Sequence, residues 1–463
     1  MVIVAAGTLI IQLFLLPMGR PPGWDESIYL SQVTPGMDAM LLRAFRARGI
    51  TYLVAPITLW GGSVEQVRLF LAVLSSFGLA TASSLTVPLI GMAAPIAAVF
   101  FSFTWLFLLS GSAVLPNLWA AILILATTGL AARVLEERGS RLTMLAAVAL
   151  AATAIFRPTE AVAAFGAIAI GVLVWRRASW RLVVALGSSL VVGLLPWIVE
   201  ISIRFGGPVH ALGVAHNEQN LSLVDVGTNL ATYLASTGGE ASAGIPFAGA
   251  LWWAVLVVLA VVGIARSNRS RQTVVILCGV GALVLGFEYI GFVEAVAPRF
   301  LLPAYALAAV PAAVGLVSLL RGGIVARGIG VLVLLFTIPW TVWQSGVADR
   351  VADEQMPSLE LFRDAGVRVR EMAGGRPCVF LSPHGWPAIQ FASGCTGSAL
   401  PSARGPSQRE LVRLASGGRR VYVILRARPR PRSMLASIEA TRIRGRNVTW
   451  FIYELPKFEE ASG

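Results

Sequence analysis

Long apolar runs dominate this chain, and they constrain its fold more than any other feature. A helix needs roughly 20 mostly apolar residues to cross a bilayer, where no water satisfies its backbone groups. By that criterion about eleven stretches qualify. They lie near 2–16, 67–90, 93–110, 115–134, 142–157, 161–175, 181–202, 247–265, 273–293, 299–320 and 324–343, the first, fifth and sixth being short. The first makes a poor signal peptide, with no basic n-region and an unsuitable cleavage site at Pro17-Met18-Gly19-Arg20. Only 13% of the residues are charged, against roughly 25% in soluble domains, which excludes an ordinary soluble enzyme and a disordered chain. The net charge of +13 would suit a nucleic-acid partner, but it sits in short clusters between apolar runs, so none is expected. No Gly-rich phosphate loop or dinucleotide fingerprint follows a strand-like run. Three Cys and three His are too few for a structural zinc cage.

Sidedness follows from the arginines, since Lys457 is the only lysine. Arg133, Arg138 and Arg141 follow the fourth span, and Arg176, Arg177 and Arg181 the sixth. Arg266, Arg269 and Arg271 follow the eighth, Arg321 and Arg327 the tenth. These alternate loops share one side, which the positive-inside rule makes cytoplasmic. The expected fold is an α-helical polytopic membrane protein with its N-terminus inside. Loops 17–66 and 204–246 then face outward, as does everything after 344.

From about 345 the membrane pattern stops. Residues 350–372 read as an amphipathic helix, 377–381, 420–425 and 449–453 as strands, and 407–416 as a helix between two of them. Such alternation predicts a small extracytoplasmic α/β domain over 345–463, beside a transmembrane domain over 1–344. Cys378 and Cys395 fall in this outer region. They read either as two small core residues or as a disulfide closing a short loop, and the outer placement favours the bridge.

The residues with chemistry to offer gather toward the same outer rim. Gly23-Trp24-Asp25-Glu26-Ser27-Ile28-Tyr29 puts an acidic pair among aromatics just after the first span. Asp25 reads as a helix N-cap or as a functional carboxylate. Residues 37–48 place Met37, Met40, Leu41, Ala44 and Phe45 on one helical face, as in an interfacial helix or a packed surface one. Phe156-Arg157-Pro158-Thr159-Glu160 ends the fifth span, Glu200 and Arg204 the seventh, and Pro298-Arg299-Phe300 precedes the tenth. An Arg holds phosphate well through its planar fork, and an Arg at a span's end also snorkels to headgroups. His210 and His216, beside Asn217 and Glu218, suggest acceptor contacts or a structural role rather than a metal site.

These motifs resemble those of the GT-C superfamily of polytopic glycosyltransferases, in the branch with protein O-mannosyltransferases and the aminoarabinose transferase of lipid A. The likeness rests on Trp24-Asp25-Glu26-Ser27-Ile28-Tyr29, the 37–48 segment, Arg157-Pro158, Arg299-Phe300-Leu301-Leu302-Pro303 and the terminal outer domain. It covers about 1–343. One departure is Asn117, in the second short outer turn, where many relatives carry an acidic residue. The Arg-rich usage also looks like that of a high-GC bacterial genome.

The resemblance implies transfer of a sugar from a polyprenyl-phosphate donor to a glycan, protein or lipid acceptor of the cell envelope. Transfer is expected outside the cytoplasmic membrane, with inversion, without a nucleotide at the site and without a cofactor; a divalent metal stays open. It implies Asp25 as general base and Glu26 as second candidate or orienting partner. Arg157 and Arg299 become donor-phosphate contacts, with Tyr29, Glu160, Glu200 and His216 as weaker substrate contacts. Two other functions compete. A transporter or flippase of lipid-linked sugars would show paired halves with interrupted midplane helices, and a non-catalytic envelope-assembly scaffold would tolerate neutralising the acidic loop.

Overall fold

The computed structural model describes the chain except residues 41–45, 175–178, 208, 211–212, 215–224, 237–245, 294–295, 401–418, 430–433, 447 and 457–463. It is mostly helical, with one small sheet near the C-terminus. Two compact units emerge. One comprises Met1–Pro17, Leu42–Leu53 and Arg68–Ala352, and the other Met18–Leu41, Val54–Val67 and Asp353–Gly463.

The first unit is a multi-pass helical bundle. Among the described residues, six helices are long and apolar enough to cross a membrane, seven if the bent pair Ala93–Ser102 and Trp105–Gly111 counts as one span. Val2–Leu15, Gly49–Leu59, Ser140–Phe156, Pro158–Leu173 and Leu251–Arg266 are apolar but shorter. The expected stretches coincide with the long helices, the bent pair and four of the shorter ones; Gly49–Leu59 was not among them. The 77° bend follows from local chemistry. Thr104 adopts an extended conformation and its side chain accepts the Phe107 N–H, so a new helix starts there. The Trp105 N–H, an orphan of that new start, donates to Gln344 Oε1 at 2.9 Å. Tight packing elsewhere needs glycine. A Cβ on Gly315 would lie 1.9 Å from the Leu259 carbonyl oxygen, so Pro246–Arg266 and Leu302–Leu320 meet backbone to backbone.

The second unit is built on a five-stranded sheet. Its strands are β1 (Cys378–Ser382), β2 (Thr396–Ala399), β3 (Arg420–Leu425), β4 (Ala440–Arg444) and β5 (Thr449–Glu454), in the order β2-β1-β3-β5-β4. β1 runs parallel to β2 and β3, while β5 runs antiparallel to β3 and β4. One core packs Phe380, Tyr422, Ile424, Trp450 and Ile452 against Leu361, Ala365 and Val369, and also against Ile28 and Met40 from the first loop. Cys378 and Cys395 are joined by a disulfide between β1 and the residue before β2.

Several expectations need correcting. The helix over 350–372 is not separate: Ile324–Ala373 is one helix of 50 residues. Nothing in 344–350 breaks it, for the stretch holds no proline and its one glycine, Gly346, is insufficient to end a helix. β2 and β4 were missed because Thr-Gly-Ser-Ala and Ala-Thr-Arg-Ile-Arg lack an apolar run. The expected helix 407–416 lies outside the described residues. Of the interfacial helix expected over 37–48, residues 41–45 also lie outside them, and the flanking 37–40 and 46–48 are not helical.

Candidate active site

The acidic motif of the first loop forms the short helix Trp24–Ser31 in the second unit. Its N-cap is Gly23, not Asp25, and the Gly23 N–H donates to Glu26 Oε2 at 3.0 Å. Glu26 thus serves as the returning arm of a cap and is buried. Asp25 is in the first turn, half-buried, where the helix dipole favours a negative charge. The far side of the helix anchors the motif. Ile28, Tyr29 and Leu30 are buried, and Ser31 Oγ accepts the Met40 N–H at 3.0 Å. Trp24 stays exposed and meets Trp386 edge to face, with ring centroids 5.7 Å apart. His384, two residues before Trp386, is held below the usual imidazole range by burial and by the nearby Arg426 guanidinium.

The first unit holds a second group of polar residues. Arg157 is extended, at φ −148° and ψ 93°, between the helices Ser140–Phe156 and Pro158–Val174. Its proline neighbour forces this, because the ring disfavours helical geometry in the preceding residue. The break turns the Arg157 side chain toward its own successor helix. Its Nε donates to Glu160 Oε1 at 2.6 Å and its Nη2 to the Tyr289 hydroxyl at 2.6 Å, and that hydroxyl donates in turn to Glu160. Glu160 is fully buried. Pro298-Arg299-Phe300-Leu301 forms a single 3-10 turn before Leu302–Leu320. Phe300 stacks on Tyr289 at 5.0 Å between centroids. The guanidinium carbons of Arg157 and Arg299 lie 5.7 and 5.5 Å from the centre of that same ring, within the range of cation–π attraction. Two cations, one buried carboxylate and a phenol therefore gather around Phe300.

Sequence reasoning missed one member of this group. Glu288, beside Tyr289 and near the end of Arg269–Phe292, interacts electrostatically with both Glu160 and Arg157. Its Oε2 is buried without a hydrogen-bond partner among the described residues. The available signal was an acid inside an apolar stretch, which is by default a functional residue.

The remaining predicted residues fall elsewhere. Glu200 takes both oxygens to Arg48, at 2.8 and 2.7 Å from its Nε, and also pairs with Arg204 at 3.0 Å. This ties the first loop to Trp180–Phe205 within the first unit. Asn117 begins its helix with Nδ2 buried and unpartnered among the described residues. His216 lies outside the described residues. Among those described, no three His, Cys, Asp or Glu side chains gather as a metal site would need.

No family model matches the sequence. No curated protein matches it either. The solved structures do. ArnT from Cupriavidus metallidurans, bound to undecaprenyl phosphate, superimposes with a TM-score of 0.70 over 97% of each chain at 13% identity. This chain has a GT-C fold. The Archaeoglobus fulgidus oligosaccharyltransferase, solved with a tethered acceptor peptide containing the NVT sequon, shares the GT-C fold more loosely. Its TM-score is 0.56 at 12% identity, over 91% of this chain and 68% of that one.

Proposed function

We propose that this chain is an integral-membrane glycosyltransferase. It moves a sugar from a polyprenyl-phosphate donor to an acceptor of the cell envelope, on the outer face of the cytoplasmic membrane. The observation that carries the reading is the GT-C fold, shared along 97% of both chains with a protein bound to undecaprenyl phosphate. The topology is the one inferred from the arginines: eleven spans, the N-terminus inside, the sheet domain outside.

The chemistry assigned to each residue follows from its surroundings. The acceptor oxygen attacks the anomeric carbon opposite the phosphate, and the carbon–oxygen bond to phosphate breaks with its electron pair leaving on the phosphate. Positive charge develops on the ring as in other glycosyl transfers, and the configuration inverts. Asp25 takes the acceptor's proton; its partial exposure leaves it open to an acceptor while Glu26 fixes the helix that carries it. Arg157 and Arg299 offset the charge that builds on the leaving phosphate. Tyr29, Glu160, Glu200 and His216 are assigned to substrate contacts or to holding those that make them.

The deciding experiment supplies the purified protein with a panel of polyprenyl-phosphate sugars and envelope extracts. Labelled sugar should move to an extract component and polyprenyl phosphate should appear. Movement of intact lipid-linked sugar across vesicles without transfer would replace this reading with a flippase.

A further inference from the structure

We propose that the start of the helix Asn117–Glu137 binds a phosphate oxyanion, the group offered by a lipid phosphate or by free phosphate. The inference adds a contact to the donor reading above and rests on that reading for the lipid. It starts from backbone accounting. The first N–H groups of a helix have no carbonyl within it to meet, so a buried helix start needs acceptors from elsewhere. Here the first bond along the helix runs from the Ala120 N–H to the Pro116 carbonyl at 3.1 Å. The N–H groups of Asn117, Leu118 and Trp119 donate to no acceptor among the described residues. Pro116 stands at the cap position and supplies no side-chain cap. All three residues are buried, Asn117 to 2% exposure, which keeps bulk water from these donors.

Two side chains repeat the pattern. Asn117 Nδ2 and Trp119 Nε1 are both buried without a hydrogen-bond partner among the described residues. Side chains of a first turn lean toward the helix N-terminus, so the Asn117 amide belongs to the same end as the three backbone donors. All five groups are N–H donors. Such a set suits a ligand that only accepts, and the positive end of the helix dipole favours an anion there. The turn leading into the helix also meets a cation. Arg68, 1% exposed, donates from Nη1 to the Ser112 carbonyl at 3.3 Å, and a charge buried so deeply gains from an anion nearby.

The carboxylates of the surrounding elements do not fill this end. Glu136 and Glu137 stand at the far end of the same helix, about 28 Å away along its axis. Glu160 is taken up by Arg157 and Tyr289. Neither Glu160 nor Glu288, on helices packed against this one, accepts from the Asn117 amide or the Trp119 indole. The residues assigned to the donor are close by. The Trp119 ring stacks on Phe156 with centroids 6.4 Å apart, and Phe156 immediately precedes Arg157. The Pro298–Leu301 turn, which carries Arg299, also touches Asn117–Glu137. This neighbourhood favours a phosphate delivered on a lipid.

The test is binding of undecaprenyl phosphate, and separately of inorganic phosphate, to the full-length protein in lipid nanodiscs. Asn117→Leu keeps the side chain's size and removes its donor. Trp119→Phe keeps a ring on Phe156 and removes the indole N–H. Each should weaken binding about tenfold or more, the usual loss for a hydrogen bond to a charged group. Asn117→Asp, which puts a carboxylate at the same place, should weaken it further. Without ligand, Asn117→Leu should melt at the wild-type temperature or above, because an unpartnered buried amide stabilises nothing. In wild-type protein labelled with 15N at the indole nitrogens, bound phosphate should shift the signal that Trp119→Phe removes. Equal affinity for undecaprenyl phosphate in wild type, Asn117→Leu and Trp119→Phe would overturn the proposal and leave the donor reading intact. So would a lower melting temperature in ligand-free Asn117→Leu, which would make the amide a structural group, or an unmoved Trp119 signal on binding. Inorganic phosphate bound at this site with no affinity for the lipid would keep the site and remove the donor reading. Wild-type protein that binds neither would remove both.

Discussion

Asp25 and Glu26 are adjacent, yet the helix they begin separates their tasks. Glu26 turns inward and closes the cap on the Gly23 N–H, while Asp25 keeps part of its surface open. Asp25→Asn is nearly isosteric and leaves the cap untouched. Turnover should fall by about 10²–10⁴-fold, the usual contribution of a general base, while donor binding survives. Near wild-type transfer by a folded Asp25→Asn protein would move the role to Glu26. Arg157 and Arg299 face one ring from two elements. Arg→Ala at either should weaken donor binding about tenfold to a hundredfold, corresponding to roughly 1.5–3 kcal/mol for a lost charge-assisted hydrogen bond. Arg157→Lys should also weaken it, because an ammonium cannot reach Glu160 and Tyr289 in the paired geometry of the guanidinium. Unchanged donor affinity in both alanine variants would return these arginines to headgroup snorkelling. Asp25, Arg157 and Arg299 could be singled out as candidates because charges are rare in this chain and each stands near the end of an apolar run. Glu288 was absorbed into such a run, and its electrostatic contact with Glu160 and Arg157 appears only once another helix brings them to it.

Among the elements, the sheet shows how short-range patterns succeed and fail. β1, β3 and β5 are runs such as Arg-Val-Tyr-Val-Ile-Leu and could be read directly. β2 is largely exposed and polar, and takes its strand form from pairing with β1. The long helix Ile324–Ala373 was divided in two because its outer residues change from uniformly apolar to one-sided, although its backbone continues unbroken. No single-sequence pattern announces that Ile28 and Met40 complete a core made mostly of residues beyond 360. The disulfide joins β1 to the segment that enters β2 across a separation of 17 residues. Chain-entropy arguments give about 3 kcal/mol for a loop of this size. Replacing both cysteines by serine should therefore lower the stability of this unit by about that amount, read from amide exchange in β1 and β2. Equal protection in the two proteins would show that packing alone holds the sheet edge.

For the molecule as a whole, the apolar runs were enough to read a polytopic helical fold, because a bilayer allows so few ways to satisfy a backbone. Where the runs are interrupted, length alone was a poorer guide. Pro158 splits one apolar region into two short helices with Arg157 half-buried between them, and Thr104 bends another. The sidedness of the fold rests on a different signal, the alternation of arginine clusters, and it can be tested separately. Cys378 and Cys395 are bridged and Cys278 is buried, so the wild-type protein offers a quiet background for labelling. Single cysteines introduced at exposed Asp225, in the 204–246 loop, and at exposed Arg368, in the C-terminal unit, should react with a membrane-impermeant maleimide from outside intact cells. A cysteine at exposed Arg138, in the loop after the Asn117–Glu137 helix, should react only once the membrane is opened. The reverse pattern would place the C-terminal unit in the cytoplasm. Asp25 would move with it, since the first span separates both loop and helix Trp24–Ser31 from the N-terminus, and the acceptor would then have to be a cytoplasmic one.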